Sequence, residues 1–151
     1  MKKVWMGIAM VTLVVFGVVC MAQAATQEDA KALAEKAAAF VKANGKDKAL
    51  AEFNNPKGQF VKGDLYIIAQ DFNGVLLANG GNPKLVGQNH MEVKDPNGKL
   101  FVREMVKAAK AKSGWVEYSW TNPVTKKVAP KKTWIIGIEG ADYYVGCGVF
   151  Q

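Results

Sequence analysis

The chain has 151 residues, of which 20 are basic and 13 acidic, giving a net charge of +7 and a pI near 9.4. Half the residues are hydrophobic, which fits a globular chain with one core rather than a disordered one. Its two cysteines, Cys20 and Cys147, sit in no CxxC or Cys/His cluster, which excludes a disulfide framework, c-type haem and structural zinc.

Residues 1–24 have the three parts of a secretory signal. Lys2 and Lys3 form a positive start, Val4–Val19 is apolar, and Ala22-Gln23-Ala24 is a small-x-small cleavage site. Cys20 lies within this segment. Val19 before it, in place of a small residue, argues against lipidation. Cleavage leaves residues 25–151 as one domain in the periplasm or outside the cell. The alternative is an uncleaved apolar run anchoring the domain in the inner membrane, since its length approaches the roughly 20 residues that span a bilayer. Export and the lack of any block of like charge argue against a nucleic-acid partner. Cys147, left alone in Val145-Gly146-Cys147-Gly148-Val149, reads as a small apolar filler in a strand.

Thr26 followed by Asp29 has the spacing of a capping box, and Leu33, Ala37, Phe40 and Val41 repeat at helical intervals up to Asn44-Gly45. A short second helix is expected over Asp47–Phe53. Asp64–Phe72 is β-prone, and Asn73-Gly74 joins it to Val75–Asn79 in a tight hairpin, because both turn positions need positive φ. The segment from Gly80 to Lys94 has no clear period and is long for a plain loop. Asp95-Pro96 reads as the start of a third helix, with Phe101, Val102, Met105, Val106 and Ala109 as its buried stripe. Trp115–Thr121, Lys132–Ile138 and Tyr143–Phe150 read as three closing strands. The expected architecture is α+β: a long N-terminal helix and an antiparallel sheet of about five strands, with the helices packed on one side.

This order, and a set of short stretches, resemble the single Cache domain, an extracellular sensor family of PAS-like fold. The resemblance rests on Asp64-Leu65-Tyr66, Asp71–Leu76, Asn82–Asn89, Asp95–Lys99, Gly114–Trp120, Pro130-Lys131-Lys132 and Gly146–Phe150, and it covers residues 25–151. It implies a sensor that holds a small solute, often a short organic acid or amino acid, in a pocket between sheet and loop. Similar domains sit in receptors between two membrane helices. This sequence carries no second span and no output domain, so a free-standing exported form is expected, acting through a membrane receptor or a kinase. At Ala78-Asn79-Gly80 such domains often carry a histidine, and Asn79 stands in its place.

A pocket for a small carboxylate needs a cation, neutral donors and apolar walls. Parity puts Lys132 on one face with Trp134 and Ile136, making it the leading cation, with Lys131 on the opposite face as the weaker choice. Tyr118 and Trp120 share a face and can form an aromatic wall; Tyr66 is an equal candidate. Asn79 and His90, the only histidine, complete the candidate set of Tyr66, Asn79, His90, Tyr118, Trp120 and Lys132. Gln70 is either an amide donor or an exposed edge residue. No nucleophile elbow, HExxH motif or acid–base pair is present, so neither an enzyme nor a cofactor is expected. The rival reading is an interaction module whose pocket is filled, docking to a receptor or dimerising through the helix Thr26–Ala43.

Overall fold

The computed structural model describes residues 24–151; the proposed signal segment, apart from Ala24, lies outside the described residues. Helix α1 spans Gln27–Asn44 and α2 spans Lys46–Phe53. Strands β1 (Val61–Lys62), β2 (Leu65–Asp71) and β3 (Leu76–Asn79) follow. A 3-10 turn at Pro83–Leu85 precedes α3 (Phe101–Lys110), and the chain closes with β4 (Ser113–Thr121), β5 (Val128–Gly137) and β6 (Tyr143–Phe150).

The Thr26 capping box forms as its spacing dictates. The Asp29 backbone N–H donates to Thr26 Oγ1 at 3.1 Å, and the Thr26 N–H donates to Asp29 Oδ2 at 2.9 Å. Alanines 30, 34 and 37 are completely buried, and their small side chains let α1 lie close on the sheet. Phe40, Phe53 and Phe60 meet edge-on beside it, with the Phe53 and Phe60 ring centroids 4.8 Å apart.

The sheet is antiparallel, in the order β1-β2-β6-β5-β4, with β3 also paired to β2. The hairpin β2–β3 turns at Asn73-Gly74, but only Gly74, at φ +88°, has the positive φ expected of both: Gly74 N donates to Asp71 O at 3.1 Å and Asp71 N to Val75 O at 3.0 Å, closing a three-residue loop rather than a two-residue one. The chain then crosses to the far edge and returns through the meander β4-β5-β6, which brings the last strand beside β2. The sixth strand beyond the expected five is the two-residue β1, too short to carry a sequence signal.

Both faces of the sheet are covered, which corrects the one-sided expectation. Leu65, Ile67, Ala69, Tyr143, Val145 and Cys147 pack under α1 and α2. Tyr66, Ile68, Ile135, Tyr118 and Tyr144 pack under α3. Strand β2 is therefore buried on both faces along nearly its whole length, and it reads as a continuous apolar run because neither face meets water.

Helix α3 begins at Phe101, six residues after Asp95. Asp95 does not cap it. Its carboxylate accepts from the backbone N–H of Asn97, Lys99 and Ser119 at 2.9–3.0 Å, which closes a turn containing Gly98 at φ +81°. That left-handed residue breaks the right-handed path, so the helix starts after it. These three backbone N–H groups, the Lys99 one foremost, hold the Asp95 carboxyl below the usual carboxylate range.

The aperiodic segment 80–94 runs alongside β3. Leu76 donates to Gln88 O at 3.0 Å, Gly87 donates to Leu76 O at 2.8 Å and His90 donates to Gly74 O at 2.7 Å. It satisfies the open edge of β3 without strand periodicity of its own.

Candidate functional site

The α3 face of the sheet and the segment after β3 form a small cavity. It is lined by Tyr66, Ile68, Gln70, Leu76, Asn79, His90, Phe101, Val102, Met105, Tyr118 and Trp120, and holds about 20 Å³, close to the space of a single water. Three of these residues, Tyr66, Asn79 and Trp120, also line an open cleft of about 490 Å³, whose rim carries Lys84 and Lys126. Five of the six residues expected from sequence thus meet at one place: Tyr66, Asn79, His90, Tyr118 and Trp120. Neither lining contains an Asp or Glu.

The walls are held by defined contacts. Tyr118 stacks flat on Phe101, with centroids 4.4 Å apart and planes 4° apart. Its hydroxyl lies 3.1 Å from Thr133 Oγ1. Trp120 tilts against Phe101 at 5.4 Å and faces the His90 ring at 6.4 Å. Gln70 is buried rather than on an exposed edge: it accepts from the Tyr144 hydroxyl at 2.6 Å and donates to Gly74 O at 2.7 Å. Burial raises the phenols of Tyr66, Tyr118 and Tyr144, so all three remain protonated donors near neutral pH. His90 is 8 % exposed, and burial holds its imidazole below its ordinary value.

Asn79 faces two ways. Its Oδ1 accepts from Gly81 N and Asn82 N at 3.0 and 2.9 Å, shaping the rim of the cleft. Its backbone N–H donates to Asn54 Oδ1 at 2.9 Å, while Asn54 Nδ2 donates to Leu77 O at 3.2 Å. The end of α2 thereby takes the place of a further strand along the edge of β3.

Neither Lys132 nor Lys131 is among the residues lining the cavity or the cleft. Lys132 does share a face with Trp134 and Ile136, but that face lies under α1, away from the cavity. Its Nζ pairs with Glu117 Oε1 at 2.9 Å, and its side chain is 23 % exposed. Glu117 is its partner in register across β4–β5. The cavity face of β5 carries Lys131, Thr133 and Ile135 instead. Lys131 is 2 % exposed, and its Nζ sits 3.9 Å from the centroid of Tyr66 and 4.6 Å from that of Phe150. It takes part in none of the four ion pairs among the described residues. Burial pushes its amine below the ordinary lysine value, opposed by the nearby Tyr118, Cys147 and Asp64.

Sequence reasoning ranks Lys131 below Lys132 because Lys132, Trp134 and Ile136 form the more apolar of the two faces. The register of Lys131 opposite Tyr118 was the available signal: a residue paired with a pocket wall shares its face. Arg103 is ion-paired with Glu92 at the surface, outside the site. Cys147 is buried on the α1 face, and burial pushes its thiol up to about 12, which leaves it an inert filler.

The pattern of the family described as Single Cache domain 2 matches residues 3–151. The sensor histidine kinase MctS of Rhizobium johnstonii is 28% identical over 87 residues, covering 58% of this chain and 19% of the kinase. The methyl-accepting chemotaxis protein McpP of Pseudomonas putida is 28% identical over 88 residues, covering 58% of this chain and 16% of the receptor. The match thus spans less than a fifth of either relative's own length. Among solved structures, a methyl-accepting chemotaxis protein of Vibrio parahaemolyticus superposes with TM-score 0.68 at 24% identity, covering 82% of this chain and 86% of that one. A periplasmic sensor domain of a chemotaxis protein gives 0.63 at 27% identity, covering 82% and 88%. A Cache chemosensory domain described for its carboxylic acid recognition gives 0.62 at 25% identity, covering 82% and 86%. By the match along almost its entire length, the chain belongs to the single Cache domain 2 family, whose members are sensor domains of chemoreceptors and histidine kinases.

Proposed function

We propose that this protein is an exported sensor domain that binds a small monocarboxylate in the periplasm and reports it through a separate membrane receptor or kinase. One observation carries the reading: Lys131 places a buried ammonium beside Tyr66 on the cavity face of the sheet, and no carboxylate among the described residues is paired to it. A buried cation is costly unless an anion meets it, and a ligand carboxylate supplies that anion. The Tyr66 and Tyr118 hydroxyls and the Asn79 amide add neutral donors. Phe101, Trp120 and Ile68 provide walls for an alkyl chain.

The absence of Asp and Glu from both linings disfavours amines and amino acids, whose ammonium group would find no partner. A single buried cation favours one carboxylate over two. The described recognition of carboxylic acids by the similar Cache chemosensory domain agrees with this chemistry. The segment 1–24 supports delivery across the inner membrane, with cleavage after Ala24. Among the described residues no helix is long and apolar enough to cross a membrane.

The second reading, a domain whose pocket is closed and which works by docking, is favoured by the inner cavity of only about 20 Å³. On the first reading a ligand widens that cavity toward the adjoining cleft. Thermal unfolding against a panel of monocarboxylates, dicarboxylates, amino acids and amines separates the two. A true ligand at 100 times its dissociation constant adds about 2.7 kcal/mol. A shift confined to monocarboxylates establishes the first reading, and none across the panel leaves the docking module.

A further inference from the structure

Lys131 belongs to β5, whereas the ring its ammonium meets, Tyr66, belongs to β2. Strand β6 lies between them. The lysine chain must therefore cross β6 sideways, over the cavity face of that strand. This face is formed by Tyr144, Gly146, Gly148 and Phe150, alternating with Tyr143, Val145, Cys147 and Val149 on the other. Two of its four positions are glycine. A Cβ placed on Gly148 would lie 2.5 Å from Lys131 Cε and 3.2 Å from its Cγ, and would collide with Thr133 Oγ1. Gly146 similarly makes room for Ile135 Cδ1, which a Cβ there would approach to 2.7 Å. Neither glycine has positive φ, so space, not backbone freedom, calls for glycine at these positions.

We propose that Gly148 is the positioning residue that fixes the cation of the binding site. Its bare backbone is the track along which the Lys131 chain lies flat, and any side chain there lifts the ammonium away from Tyr66 and Phe150. The same Cβ would push Thr133 off the Tyr118 hydroxyl, moving a wall of the cavity as well. The consequence for ligand selection rests on the carboxylate reading above; the consequence for the place of Lys131 does not.

The test uses the full chain and the variants Gly148→Ala, Lys131→Met and Gly148→Ala/Lys131→Met. Thr133→Ala/Gly148→Ala relieves the nearest collision and keeps the one with the lysine, in case the single alanine variant does not fold. Two readouts are compared. Acetylation by acetic anhydride, followed by peptide mass spectrometry, reports the accessibility of Lys131 against the exposed Lys127. Calorimetry with propionate and butyrate reports binding. In the unaltered protein Lys131 reacts at least tenfold more slowly than Lys127. Alanine at 148, with or without Thr133→Ala, brings the two rates within about threefold. It also weakens probe affinity at least tenfold, and weakens it less once Lys131 is methionine, where only the shift of Thr133 remains. Should Lys131 stay as protected in both alanine variants as in the unaltered chain, the proposal is overturned. Should the unaltered protein bind neither probe, the carboxylate reading falls, and the acetylation rates alone decide for or against the track.

Discussion

Lys131→Met removes the ammonium while keeping an unbranched chain of similar length across β6. In the empty domain the charge is offset by the faces of Tyr66 and Phe150 at 3.9 and 4.6 Å, contacts worth about 2 kcal/mol when desolvated. Against that stands a desolvation cost of several kcal/mol for a buried ion. Replacing buried charged groups by apolar side chains of similar volume stabilises proteins by about 1–4 kcal/mol, and each kcal/mol moves the midpoint of a domain this size by roughly 3–5 °C. The variant should therefore melt roughly 3–20 °C above the unaltered protein at pH 7 without ligand. The gap should also depend on pH. Burial lowers the amine of Lys131 from its ordinary 10.5, so between the folded and unfolded values the unfolded chain binds more protons. The unaltered protein then gains stability as pH rises through that window, and the advantage of the variant shrinks as pH approaches 10.5. Urea unfolding of both proteins from pH 7 to 10.5 measures this. Carboxylate affinity should move the other way, falling about 30-fold or more with loss of the charge-assisted contact. A variant that melts several degrees lower at pH 7, with a gap insensitive to pH, would refute the claim that the cation is held at a cost for binding.

Lys132→Ala, on the outer face with Glu117, should cost under about 1 kcal/mol and leave monocarboxylate affinity unchanged; calorimetry showing lost binding would return the cation role to Lys132. His90 is held below its ordinary 6.5 by burial, so its contribution is full above pH 6.5 and lost as pH falls through the window below it. Melting midpoints from pH 8 to 5 should fall less steeply for His90→Gln than for the unaltered protein, and equal slopes would remove His90 from the acid response. Asn54→Ala leaves Leu77 O and Asn79 N without their partner and should cost about 1–3 kcal/mol in urea unfolding; a loss below a few tenths would show that water replaces the asparagine.

Where local chemistry alone decides a structure, the sequence is easily read. Thr26 with Asp29 closes a capping box wherever a helix follows, and Asn73-Gly74 between two apolar runs makes a hairpin because Gly74 accepts the positive φ that closes the loop. Asp95-Pro96 misleads for the same local reason. An Asp before a proline is a good helix start in isolation, but its carboxylate also reaches Ser119 N on β4, a partner 24 residues away. That tertiary bond favours the closed turn, and the helix waits for Phe101. Segment 80–94 has no period because its pairing partner is one short strand edge, met through single backbone bonds.

The sequence places the aromatic residues of the cavity but ranks Lys131 below Lys132, and the reason is the two-sided sheet. Parity assigns residues to faces without error here: Tyr66 with Ile68 and Gln70, Tyr118 with Trp120, Lys132 with Trp134. What parity cannot supply is which face meets the cavity when both are buried. In a one-sided sheet the more apolar alternation marks the core, and Lys132 beside Trp134 and Ile136 would have been the interior lysine. In this sheet that alternation lies under α1, where Lys31 covers the Trp134 ring at 5.0 Å and Glu117 holds Lys132 at the edge. The opposite alternation, Lys131-x-Thr133-x-Ile135, looks less apolar because a binding face must keep polar atoms. The better rule for such a strand is to follow the cross-strand partners of an identified wall residue. Tyr118 leads through the β4–β5 register to Lys131, and Lys131 and Thr133 lead through the β5–β6 register to Phe150 and Gly148. The two glycines of Gly146-Cys147-Gly148, which suggest nothing beyond a flexible strand when read alone, then become the floor that the side chains of β5 need.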